Sequence, residues 1–273
     1  MTRRHVRIDA GDARLSADRW DGPGRPVVLL HAGVADRRSW YATADALAGV
    51  GPLVAYDRRG FGETPPGAGP YRHVDDLVAV LDQTTGAPAW LVGSSMGGQV
   101  ALDLAVTRPD RVAGLVLFAP AVSGAPEPGT LDAATLRLSD MLDVAVSAGD
   151  VAEINRLETW LWLDGPAGPE GRVAGPAREL ASAMNAVVLG NGVPESAGAA
   201  GVDAWALLGR VTAPAVVACG ELDVPFFARQ GEELAGRLPN ARYEPLPGMA
   251  HLPYLERPKV VADLIRHAIA AHP

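Results

Sequence analysis

Four short runs constrain this chain most: PVVLLH at 26–31, PLVAYD at 52–57, AWLVGSS at 89–95 and AGLVLFAP at 113–120. Each is apolar throughout rather than alternating, the pattern of a strand covered on both faces. Helical patterns lie between them, over 39–48, 73–86 and 96–107. Buried strands alternating with helices predict an α/β fold with a mostly parallel sheet and helices on both faces. Two opening segments, HVRIDA and ARLSADRW, alternate instead, and Gly11-Asp12 between them predicts a hairpin turn.

The alternation stops near residue 123. SGAPEPGTLD reads as a linker, and residues 131–191 carry apolar positions at helical spacing. A loose stretch, GNGVPESAGAAG, follows at 190–201. Strand signals return at PAVVACGELD (214–223) and RYEPLPG (242–248), and helices are expected at 225–238 and 258–271. The expected organisation is a core of residues 1–123 and 208–273, interrupted by a helical cap at 124–207.

The 273 residues suffice for one large core with an insertion. A net charge of −8, with no stripe of Lys and Arg, argues against nucleic acid as a partner. No apolar stretch reaches membrane-spanning length, and the charged N-terminal residues have no apolar run behind them, so no membrane association and a cytoplasmic location are expected. The single cysteine, Cys219, sits in VVACG and reads as an inert buried thiol. No motif implies a metal, nucleotide or flavin, so no cofactor is expected.

In an open parallel sheet, ligands bind outside the carboxyl ends of the strands. His31, Asp57, Ser95 and Asp223 all fall there. Gly93-Ser94-Ser95-Met96-Gly97 fits G-x-S-x-G with Ser95 central. A flexible loop of small residues would read the same way. This motif, however, follows a strand signal and opens a helix, the context of a nucleophile elbow. A serine needs a base, and the base needs an orienting acid. Among the histidines after Ser95, His267 falls within the last helix and His272 on the tail. His251 lies in the Pro/Gly-framed loop PGMAHLPYLERP and is the candidate base. The acid is expected after the preceding strand, where GELD offers Asp223 first and Glu221 as the alternative; Asp223 would also suit a helix N-cap. An oxyanion hole would use the N–H of Met96 and one from HAGVADRRSW, with Gly33 preferred and Val34 the fallback. His31 reads as hydrogen-bonded to loop backbone.

Taken together, LLHAGV (29–34), YDRRGFGET (56–64), LVGSSMGG (91–98), CGELD (219–223) and AHLPYLERP (250–258) resemble the α/β-hydrolase superfamily over nearly the whole chain. The likeness is to the branch of small carboxylesterases and enol-lactone hydrolases. It implies an α/β-hydrolase fold with Ser95 as nucleophile, Asp223 as acid, His251 as base and a helical lid. Ala32 departs from the pattern, since many members carry glycine there. Asp57 and Arg58 are expected to brace their loop. Serine at 95 argues against the dehalogenase and epoxide hydrolase branches, which use aspartate. The expected reaction is hydrolysis of a small ester or lactone through an acyl-enzyme, by a monomer or small homo-oligomer. Carbon–carbon hydrolysis, a cyclase or lyase, and a non-catalytic binding protein are the alternatives. The lid reads as apolar, which suggests a largely uncharged substrate. Val34, Trp160, Trp162 and Met184 are candidate pocket residues. Trp160 and Trp162 are two positions apart on a helix, so at most one of them is expected in the pocket.

Overall fold

The computed structural model describes residues 2–67, 69–192 and 202–272. Its strands are β1 (Arg3–Ala10), β2 (Ala13–Trp20), β3 (Val27–Leu30), β4 (Leu53–Tyr56), β5 (Ala89–Ser94), β6 (Val112–Phe118), β7 (Ala215–Gly220) and β8 (Ala241–Leu246). Its helices are α1 (Tyr41–Ala46), α2 (His73–Thr84), α3 (Met96–Thr107), α4 (Ala133–Ala148), α5 (Val151–Thr159), α6 (Pro176–Asn191), α7 (Ala204–Leu207), α8 (Pro225–Arg237), α9 (Pro253–Glu256) and α10 (Pro258–Ala270).

The strands form one sheet in the order β1-β2-β4-β3-β5-β6-β7-β8. β1 and β2 pair antiparallel across the Gly11 turn, β2 runs antiparallel to β4, and every later pairing is parallel. This is the α/β-hydrolase fold. The all-apolar strands divide their side chains between two cores. Val28, Leu30, Leu91 and Leu117 pack with α2, α3 and α8. Their neighbours Val27, Leu29, Val92 and Val116 pack with α1 and α10. Neither face meets water, so every strand position can be apolar.

Residues between β6 and β7 leave the sheet to form α4, α5 and α6. Asp132 caps α4 by accepting from the N–H groups of Ala134 and Thr135. Gly149, at φ 65°, ends it, and Asp150 caps α5. Leu138, Ala145, Leu157 and Leu161 form a small core of their own, closed by Val224 at the start of α8. Asn155 ties α5 to α6 by donating to Ser182 and accepting from Asn185. A single π-helical turn, Trp160–Asp164, ends α5. α7 packs on the main core through Ala204 and Trp205, so residues 204–207 sit with the sheet rather than with the inserted helices. Most of the loose stretch at 190–201 lies outside the described residues. No helix among the described residues is long and apolar enough to cross a membrane.

Candidate active site

Ser95 sits between β5 and α3 with φ 52° and ψ −118°. A non-glycine residue there is strained, and such strain concentrates at functional sites. The strain is held by backbone: Ser95 N–H donates to Phe118 O at 2.9 Å, and Ala121 N–H donates to Ser95 O at 3.1 Å. The surrounding glycines are required by contact. A Cβ on Gly93 would stand 2.5 Å from Gly97 O, one on Gly97 2.3 Å from Leu30 O, and one on Gly98 2.6 Å from the Pro120 side chain. Ser94 is fully buried, whereas Ser95 is partly open.

β7 ends at Gly220 because the chain turns there against the loop after β8. A Cβ on Gly220 would meet the Met249 and Ala250 carbonyls at 2.3 Å. Leu222 N–H then donates to Met249 O, which delivers Asp223 beside His251. His251 Nδ1 lies 2.7 Å from Asp223 Oδ2, with both residues buried. Asp223 Oδ1 accepts from Val224 N–H, and Val224 rather than Asp223 is the N-cap of α8. Glu221 is exposed and accepts from Gly248 N–H, away from the imidazole. Among the described residues no hydrogen bond joins Ser95 Oγ to His251.

The N–H of Met96, first residue of α3, has no partner within its own helix. Gly33 lies beside it: a Cβ there would come 3.8 Å from the Met96 side chain, an ordinary contact. The loop carrying Gly33 is fixed from behind. The Arg58 guanidinium donates to the His31 and Ala32 carbonyls. His31 Nδ1 is 2.8 Å from Ala32 O, and its Nε2 accepts from Arg58 N–H. Burial, reinforced by Arg58, drives the His31 pKa well below the usual imidazole value, so it is neutral. Asp57 accepts from Arg37 and from Glu63 N–H; burial raises its pKa to about 6 despite Arg37. His31 is hydrogen-bonded to loop backbone, and Asp57 and Arg58 brace the loop, as the sequence leads one to expect.

The four candidate pocket residues separate. Trp162 packs on His251 with ring centroids 4.7 Å apart, and Phe227 covers the same imidazole at 4.6 Å. Val34 and Trp162 share a small cavity with Glu158, Thr159, Asn185 and Leu252, of about 10 Å³, room for one water. Trp160 instead donates from Nε1 to Gly168 O and lies under Arg137, within the inserted helices. Met184 is fully buried in the core that contains α10, with no exposed surface to offer a ligand. Both tryptophans border the small core of Leu157 and Leu161, but Trp162 also packs on the core that contains α10. Gly165 N–H reaches back to Trp160 O to close the π-turn that carries them both. Sequence reasoning missed Phe227, Glu158, Thr159 and Asn185. Only the i,i+4 spacing of Glu158 and Trp162 hinted that the acid shares the tryptophan's face. Among the described residues no group of three or more His, Cys, Asp or Glu converges as a metal-ligand set.

Residues 27–264 match the model of the Alpha/beta hydrolase family. A protein of Bacillus subtilis (strain 168), provisionally named a 2-succinyl-6-hydroxy-2,4-cyclohexadiene-1-carboxylate synthase, is 25% identical over 266 residues, 96% of each chain. The esterase RhEst1 of Rhodococcus sp. ECU1013 superposes with a TM-score of 0.77 at 24% identity, covering 100% of both chains. The enol-lactonase of Burkholderia xenovorans LB400 gives 0.74 at 21%, covering 97% of this chain and 100% of its own.

Proposed function

Because the chain belongs to the α/β-hydrolase family, we propose that it is a serine hydrolase cleaving a carboxylic ester or lactone of a small substrate through an acyl-enzyme. The observation that carries this reading is the buried His251–Asp223 pair, 2.7 Å apart, at the sheet end that also bears the strained Ser95. His251 Nε2 takes the Ser95 proton as the oxygen attacks the carbonyl, and Asp223 holds the Nδ1–H tautomer. The oxyanion accepts from Met96 N–H and from Gly33 N–H, with Val34 N–H the alternative donor. His251 then protonates the leaving group, and water repeats the sequence on the acyl-enzyme. The α4–α6 insertion acts as a cap, and Trp162, which packs on His251, contacts the acyl group. The cap begins near residue 123 and ends before α7, so the division falls near residue 203 rather than 207.

The test is hydrolysis of short p-nitrophenyl esters with labelling by a fluorophosphonate. Ser95→Ala should lose turnover by about 10³-fold or more and lose the label, with the melting temperature unchanged. Retained turnover, with Ser94 labelled, rejects Ser95 as nucleophile. The Bacillus relative's name, that of a synthase, favours one second reading, a biosynthetic cyclase or lyase that uses the pocket without hydrolysis. A wild type that is labelled at Ser95 yet turns over no ester or lactone would favour it.

A further inference from the structure

The inserted helices are not uniformly apolar where they face the sheet. Glu158 on α5 and Asn185 on α6 line the same small cavity as Val34, Trp162 and Leu252. Leu252 follows His251 in the chain, and Val34 follows Gly33, so this cavity adjoins both halves of the candidate site. Asn185 donates from Nδ2 to Glu158 Oε2 at 2.7 Å and to Asn155 Oδ1 at 3.0 Å. That fixes the orientation of its amide, because the reverse would set oxygen against carboxylate. Its Oδ1 is then left buried without a partner, on a residue only 3% exposed. Thr159 lines the cavity too, and its Oγ1 is likewise buried and unpartnered at 6% exposure. Among the described residues Glu158 makes no ion pair, and its one hydrogen bond is with Asn185. None of the residues lining the cavity is basic.

A buried acceptor without a donor costs about 1–3 kcal/mol, and fixed groups of this kind are usually answered by water or by ligand. Here two residues with orphaned oxygens and one carboxylate-bearing residue line one cavity beside the residues that flank Gly33 and His251. Burial also holds the Glu158 carboxyl above its ordinary pKa, although Asn185 opposes the shift. We propose that Glu158, Thr159 and Asn185 form a polar specificity subsite that accepts a hydrogen-bond donor, an ammonium or a hydroxyl, on the acyl part of the substrate and rejects a carboxylate there. This rests on the serine-hydrolase reading above. It departs from the apolar lid expected from sequence, and it sets this chain apart from the Bacillus relative, whose name specifies a carboxylate. The cavity holds about one water as it stands, so a substrate end entering it must displace Trp162.

The test uses four p-nitrophenyl esters of matched length: heptanoate, 6-hydroxyhexanoate, 6-aminohexanoate and the adipate half-ester. Wild type should prefer the amino ester to the adipate half-ester by at least about tenfold in kcat/KM. Glu158→Gln, which keeps the shape and the Asn185 contact, should collapse that ratio toward unity. Asn185→Leu should lower the hydroxy ester relative to heptanoate. A Glu158→Gln ratio within threefold of the wild-type ratio overturns the subsite and leaves a structural water as the occupant of the cavity. Should that variant fail to fold, wild type alone decides: hexylammonium should compete with p-nitrophenyl butyrate better than hexanoate does, and equal or reversed potency overturns the proposal. A wild type that hydrolyses none of the esters and resists fluorophosphonate refutes the serine-hydrolase reading itself, an outcome distinct from an unchanged ranking.

Discussion

The carboxyl end of the sheet and the helical insertion both bury ionisable side chains, but they answer them differently. At the sheet end, His31, Asp57, Arg58, Asp223 and His251 each meet a partner, mostly backbone or a neighbour in the same loop. Backbone partners hold a group to within a few tenths of an ångström, which suits reacting atoms. In the insertion, buried Asp164 is answered by Gly171 N–H, Val173 N–H and Arg178, but Glu158 faces one amide, and the oxygens beside it face nothing in the protein. The sheet end is built to fix geometry, and the corner of the insertion around Glu158 keeps hydrogen-bonding capacity in reserve.

The strongest attack on the first half of this contrast is Asp223→Asn. If Asp223 fixes the His251 tautomer, kcat should fall by about 10⁴-fold with little change in melting temperature. Glu221→Gln should stay within about threefold, since its carboxylate is exposed. Reversed effects in steady-state assays would transfer the orienting role to Glu221.

A smaller effect tests whether the core tolerates an under-answered acid as the insertion does. Asp103 on α3 is 2% exposed, accepts from Ser123 at 2.9 Å and leaves Oδ1 unpartnered. Burial raises its pKa from 3.8 to about 6, against the opposing Ser123 bond. The folded pKa lies above the unfolded one, so the native state binds this proton more tightly. Its stabilising contribution is full below about pH 4 and is lost as pH rises through 6, a swing of about 3 kcal/mol by pH 7. Asp103→Asn should therefore gain stability relative to wild type at pH 7 compared with pH 4, read from urea midpoints at both. A difference independent of pH would place Asp103 among the well-answered groups.

The smallest effect separates the two tryptophans. Trp162→Ala should change the ranking of acyl chain lengths by about tenfold in kcat/KM, because that ring meets His251 and the cavity. Trp160→Ala should lower the melting temperature and depress all esters alike, having lost packing within the insertion. Identical profiles for the two variants would erase the distinction between a ring on His251 and a ring within the insertion.

The two regions also differ in how far they can be read from sequence. The strands are legible because burial on both faces leaves a local mark, and the elbow because glycines surround Ser95 wherever an added Cβ would come within 2.3–2.6 Å of a neighbouring atom. Asp223 and His251 followed from chain order and loop position. The insertion resists this reading, since its contacts depend on how α5 and α6 pack against each other and against the sheet. Met184 and Trp162 look equally apolar in the sequence, yet one is core and the other touches the imidazole. Whether Glu158 faces water or a cavity is set by Asn185, 27 residues away.

The aromatic cover on His251 makes the imidazole an observer of its surroundings. With Trp162 and Phe227 centred 4.7 and 4.6 Å from it, its carbon-bound protons sit in the ring currents of two neighbours, one from the insertion and one from α8. Their NMR resonances should be displaced from ordinary histidine positions while the insertion is docked. They should return part of the way when Trp162 swings aside, with the Phe227 share remaining. A single labelled histidine would then report how often the insertion parts from the sheet, in the unmodified protein and without any substrate.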